Sequence, residues 1–173
     1  MNLRVIPRVE WLAPFFPVGR CPILLAVVCG LLFFHDLGGR DLWGSHEARA
    51  AQNAQRMLDD SAWGLPRLFD DHYDFQKPPM FYWLAAAVGR LNGGQVDRFA
   101  VRLPAALAAT ACVFLVFLVM QRRGRPVAGL VAALVLATAQ HFTWLGRTAR
   151  IDLPLTLTVT VAVVGIGMTH RWR

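Results

Sequence analysis

The residues able to do chemistry fall in four short stretches. In "GSHEARAAQNAQRM", residues 44–57, His46 and Glu47 stand side by side at the start of a helical pattern, and Arg49, Asn53 and Arg56 follow at helical spacing. An imidazole or a carboxylate can take a proton from a hydroxyl, and arginines beside it can hold an anion. Lys77 precedes Pro78 and Pro79, a place where a compact ammonium suits a lipid phosphate. Arg102 sits in "VDRFAVRLP", and Arg147, Arg150 and Asp152 crowd into "GRTARIDLP", residues 146–154. Acid–base groups among cations point to a polar or phosphorylated substrate. Each stretch also has a plainer reading. The first suits a capped surface helix with solvated charges, Lys77 a snorkelling anchor, Arg102 an anchor at a span end, and Arg150–Asp152 a structural ion pair.

Other chemistries find little support. His46, His72 and His141 share no metal-ligand spacing, and no glycine fingerprint for a nucleotide occurs. No motif calls for a cofactor; a divalent metal stays open. Cys21, Cys29 and Cys112 lie in or beside apolar runs with no paired spacing, as small core residues do.

The elements that must position these groups are apolar. The chain has 173 residues, 55% of them hydrophobic and 17% charged. Crossing the hydrocarbon layer takes roughly 20 mostly apolar residues. Cys21–Leu37, Leu103–Met120 and Val127–Leu145 qualify, and Leu153–Met168 is shorter, rich in threonine and free of charge. The fold class is therefore all-α: a polytopic membrane protein of about four transmembrane helices. The net charge of +7 reads as arginine anchors beside the spans, with no nucleic acid as partner.

The stretch from Pro78 to Leu91 is too short to cross and reads as an interfacial helix. With four spans, Arg4, Arg8, Arg20, the "RRGR" of 122–125 and the "HRWR" of 170–173 all fall on one side, the cytoplasm by the positive-inside rule. The expected order is a cytoplasmic N-terminus over 1–20, spans at 21–37, 102–121, 127–146 and 153–169, a cytoplasmic turn at 122–126, and a cytoplasmic end at 170–173. External loops cover 38–101 and 147–152. In the first loop two helices are expected, one N-capped by Ser45 and running to Asp59-Asp60-Ser61, the other led by the prolines. Trp43, Trp63, Tyr73, Phe81, Tyr82 and Trp83 would anchor that loop at the headgroups.

Taken in order, "LWGSHEARAAQNAQRML", "KPPMFYWLAAAVGRLNGG", "RFAVRLPAALAA", a basic turn and "GRTARIDLPLTL" resemble the GT-C membrane glycosyltransferases of the protein O-mannosyltransferase type. The bacterial branch that includes the lipid A aminoarabinose transferase is the nearest in appearance. The likeness runs from about Leu31 to the end. It implies an enzyme of the bacterial inner (plasma) membrane whose external loops take a sugar from a polyprenyl-phosphate carrier and pass it, usually with inversion, to a lipid or protein acceptor.

The family's Asp-Glu pair reads here as His46-Glu47, the proposed catalytic positions, with the aspartate replaced. Its lysine near the carrier phosphate matches Lys77, its arginine before Leu-Pro matches Arg102, and its second-loop acid matches Asp152. Arg150 joins Lys77 and Arg102 as a carrier-phosphate ligand, and Arg49 and Asn53 are acceptor or structural groups. Family members are several-fold longer, so the chain reads as an N-terminal portion or a truncated frame. The rival readings are a transporter or flippase fragment, which the lack of ionisable residues inside the spans disfavours, and a non-catalytic homologue.

Overall fold

The computed structural model describes residues 18–61, 63–67, 73–75 and 77–169. The basic groups at Arg4 and Arg8, His72, and the stretch 170–173 lie outside them. Among the described residues seven α-helices follow in order: α1 (Cys21–Cys29), α2 (Ser45–Asp59), α3 (Met80–Leu91), α4 (Arg98–Arg122), α5 (Pro126–Thr138), α6 (Gln140–Gly146) and α7 (Asp152–Thr169). No strand forms among the described residues beyond one isolated bridge between Arg67 and Tyr73.

Helix α4 organises the rest. Asp97 caps its start by accepting from the Ala100 amide at 2.7 Å. It ends at the basic turn, where Gly124 takes φ +73°, Gly124 N–H donates to Gln121 and Arg125 N–H to Met120. That pair of bonds is a Schellman cap, which a residue bearing Cβ would strain. Pro126 then opens α5 where its missing N–H is harmless.

Two cores share α4. Near its start, Val101 and Ala105 pack with Ala50, Ala54 and Met57 of α2 and Phe81, Tyr82 and Ala85 of α3. Further along, Ala109, Val113 and Phe117 pack with Leu25 and Phe33 of the first helical segment and Leu130 and Ala133 of α5. The many alanines let the backbones approach closely. Outward faces are also apolar. Ile23, Val27 and Leu31 recur every four residues along the first segment, and Leu155, Val159, Val163 and Ile166 line the outside of α7. Contiguous exposed apolar faces of this kind suit lipid rather than water.

Several elements differ from the sequence expectation. Among the described residues only α4, 25 residues, is long and apolar enough to cross as one helix. The expected third span is not one helix. Its two parts, α5 and α6, pass the same test together but bend by 69°. Ala139 at the break is extended, and the Thr143 hydroxyl donates to the freed Ala137 carbonyl at 2.7 Å. That bond satisfies the backbone where the helix ladder fails. The first helix stops at Phe34, short of Leu37, after a π-helical turn over Gly30–Phe34. Cys21–Phe34, Met80–Leu91 and Asp152–Gly167 are shorter apolar helices. Gly44 rather than Ser45 caps α2, its carbonyl taking the Glu47 and Ala48 amides. The proline-led helix begins at Met80 with Pro79 at its cap. At 12 residues it is about 18 Å long, against a hydrocarbon layer of about 30 Å.

A close helix–helix contact is at Gly129, where a Cβ would meet Met120 Cβ at 2.8 Å and the Phe117 carbonyl at 3.0 Å. Gly129→Val is expected to cost about 1–3 kcal/mol by overpacking. Gly165→Ala, which meets nothing within 4 Å, should cost none. Thermal release of the three buried cysteines to a thiol-reactive dye checks both.

Candidate functional site

The site begins with a buried ion pair. Glu47 lies in the first turn of α2, where the helix dipole favours an anion, and is 5% exposed. Arg102, in the second turn of α4, is 1% exposed. Its Nε and Nη2 donate to the two carboxylate oxygens of Glu47 at 3.0 and 3.1 Å. Nη1 donates to the carbonyls of Leu37 and Arg40 at 3.0 and 2.7 Å, and Nη2 donates also to that of Asp41 at 2.8 Å. These are the five N–H groups a guanidinium possesses, so in this arrangement Arg102 has no donor left for a phosphate.

The second loop closes on the same pair. The Ala149 amide donates to Glu47 Oε1 at 2.9 Å. Arg147 donates to the carbonyls of Leu32 and His35, left open where the first helix ends, at 2.9 and 2.8 Å. Arg40 donates to the Arg147 carbonyl at 3.1 Å and lies 3.7 Å from Glu47. Burial pushes the Glu47 carboxyl up, but the hydrogen bonds from Arg102 and Ala149 and the charges of Arg102 and Arg40 outweigh it, leaving the group below its ordinary range.

Around this pair lie groups within reach of solvent. Lys77 Nζ is 3.4 Å from His46 Nδ1. Next to Ala149, Arg150 lies across the Trp144 ring at 5.5 Å, and its Nε is 3.1 Å from Asp152 Oδ2, near enough for an ion pair but misaligned for a hydrogen bond. His46, which Lys77 touches, is the chain neighbour of Glu47, and Arg150 is the chain neighbour of Ala149, which bonds Glu47 and so the Glu47–Arg102 pair. Asp152 joins them through Arg150.

Arg49, Asn53 and Arg56 do not share an exposed face. Asn53 is fully buried, while Arg49 and Arg56 are half-buried beside it. Asn53 Nδ2 donates to Asp74 Oδ2 at 2.9 Å, and Asp74 is 3% exposed. Tyr82 of α3, 1% exposed, joins them through Asn53; burial pushes its phenol up, the Asn53 bond opposes this, Asp74 adds to it, and Arg49 opposes it. Sequence reasoning missed Asp74 and Tyr82 as site groups. An acid three residues before Lys77 was the available signal, and nothing in the sequence marks it as buried. His141 stacks on Trp144. Among the described residues no group of three or more His, Cys, Asp or Glu could hold a metal ion.

These features define an all-helical protein with lipid-suited outer faces and two loops locked together at one end of a spanning helix. The family described as dolichyl-phosphate-mannose-protein mannosyltransferase matches residues 76–168. The chain belongs to that family, among the GT-C membrane glycosyltransferases. It is similar to proteins named undecaprenyl phosphate-alpha-4-amino-4-deoxy-L-arabinose arabinosyl transferase: 36% identical over 107 residues in Shewanella sediminis (60% of this chain, 19% of the relative), 31% over 135 in Pectobacterium atrosepticum (78% and 24%), and 30% over 154 in Serratia proteamaculans (87% and 27%). The chain therefore spans about a fifth to a quarter of the length of these curated relatives. No solved structure matches.

Breaking the buried pair leaves an uncompensated charge, so Arg102→Met and Glu47→Ala should each cost about 3–5 kcal/mol. Arg102→Lys should not restore stability, because an ammonium has three donors and no fork. The Glu47 carboxyl is held low in the folded state, so its contribution is complete above its ordinary range near about pH 4.3 and lost as pH falls through the lower folded value. Thermal melting between neutral and acid pH is the measurement, and Glu47→Gln should flatten the acid limb.

Proposed function

We propose that this chain forms part of a membrane glycosyltransferase that takes a sugar from a polyprenyl-phosphate carrier and transfers it to a lipid or protein acceptor. Family membership and the relatives' names support the reaction class. The observation that carries the reading is Lys77 held beside His46 at the rim of the locked loops. The donor phosphate is a diester with one negative charge. When the sugar's anomeric C–O bond breaks, the electron pair stays on the phosphate oxygen and the carrier leaves as a monoester with added charge. Lys77, with Arg150 of the second loop, is assigned to stabilise that charge. His46 is assigned to orient the acceptor, and to take its proton where the acceptor is a hydroxyl. Glu47 and Arg102 act from behind, fixing the frame that carries these groups. Asp152 sets the direction of Arg150.

The site is assigned to the extracytoplasmic side of a bacterial-type inner membrane, in a four-span arrangement. Two facts support this. The two loops meet at the Arg102 end of α4. The basic turn of Arg122, Arg123 and Arg125 lies at the other end, 20 residues or about 30 Å away along the helix.

With undecaprenyl phosphate-linked 4-amino-4-deoxy-L-arabinose as donor and membranes expressing the full open reading frame, Lys77→Ala should lower kcat/KM by about 100-fold or more. Unchanged turnover would remove Lys77 from its role, and solute flux in proteoliposomes without transfer would favour a transporter instead. A cysteine at Arg123, in a background lacking Cys21, Cys29 and Cys112, should resist an impermeant thiol reagent in intact cells. Labelling from outside would reverse the sidedness.

A further inference from the structure

Outside the Glu47–Arg102 pair, one more carboxyl group among the described residues is buried, that of Asp74. Asp74 is 3% exposed and bonds Asn53 of α2, the helix whose Ala50 and Ala54 pack with Phe81 and Ala85 of α3. A carboxylate in such a place costs several kcal/mol of desolvation, and an apolar side chain of similar size would pack at least as well. Two bonds hold it. Its side chain takes the Asn53 amide at 2.9 Å, and its backbone N–H donates to the carbonyl of Pro66, itself buried, at 2.8 Å. The Asn53 amide is turned toward Asp74 at the expense of its own oxygen, which is buried without a hydrogen-bond partner. The limb just ahead is braced as well: Arg67 bridges to Tyr73, donates to its hydroxyl at 3.1 Å and lies over its ring at 5.1 Å.

Asp74 thus seats the segment between α2 and α3 on α2, through Asn53. Lys77 is three residues further on. Three residues reach at most about 11 Å, so fixing Asp74 keeps the Lys77 backbone within that reach, and from there the ammonium lies 3.4 Å from His46 Nδ1. We propose that Asp74, gripped by Asn53, is a positioning residue that holds Lys77 in place for the phosphate of the sugar carrier. This rests on the reading of Lys77 as the phosphate-binding group. Asp74 itself is buried and does not touch the substrate; it acts through the short tether. Misplacing a binding group by about 1 Å is enough to lower a rate by about 100-fold.

The test separates position from chemistry. In the full-length protein in membranes, on a cysteine-free background, cysteines replace His46 and Lys77 and are bridged by a short bifunctional thiol reagent. Asp74→Ala and Asn53→Ala should each lower bridging several-fold. Asp74→Asn, whose amide oxygen can still accept from Asn53, should retain it and serves as the control for a variant that fails to fold. Unchanged bridging in both alanine variants would overturn the proposal. The second readout is transfer with the native His46 and Lys77 and the undecaprenyl-linked donor named above. Asp74→Ala should raise KM by about 10-fold or more, and adding it to Lys77→Ala should cost little further, because the two act through one group. A full additional loss in the Lys77→Ala background would assign Asp74 to general stability and also overturn it. If bridging responds as expected while Lys77→Ala leaves transfer intact, Asp74 positions Lys77 but the phosphate role of Lys77 fails.

Discussion

The fold depends on how a guanidinium can be kept away from water. Arg102 sits where five acceptors converge: two carboxylate oxygens of Glu47 and the carbonyls of Leu37, Arg40 and Asp41. Desolvating one ion would be prohibitive, and desolvating a pair is tolerated only when geometry and the remaining donors are satisfied. Here both conditions hold, so the run of turns after the first helix, the start of α2 and the start of α4 are obliged to meet. The Ala149 amide extends the same requirement to the second loop. A local electrostatic need therefore fixes long-range geometry.

Helix α4 translates that requirement across the molecule. One end packs in the α2–α3 core and carries Arg102; the rest packs with α1 and α5 and leads to the glycine cap at the basic turn. The groups assigned to chemistry, Lys77, His46 and Arg150, carry no part of this frame. They are placed by it. The division suits an enzyme site, where reactive groups need a stiff surround and some access of their own.

Much of this was legible in the sequence, and the failures are informative. Apolar run lengths announced helices for a membrane, and Asp59-Asp60-Ser61 announced the end of α2, where Ser61 takes a positive φ of 51°. The resemblance placed Glu47, Lys77 and Arg102 in one site region. What composition hides is pairing. An arginine at the mouth of an apolar helix looks the same whether it faces a headgroup or five internal acceptors. The bend at Ala139 was equally hidden, because "LATAQHFTW" contains neither proline nor glycine; the break is stabilised by the Thr143 hydroxyl on a carbonyl six residues earlier. Asn53 read as part of a polar stripe, yet its partner Asp74 lies 21 residues away.

The order of the Arg102 acceptors along the chain has a biosynthetic meaning. Leu37, Arg40, Asp41 and Glu47 all precede Arg102. A polypeptide delivered from its N-terminus lays down the whole cradle before the cation emerges, and only the Ala149 amide remains to be added afterwards. The nascent chain never has to leave that guanidinium waiting for most of its partners to be made.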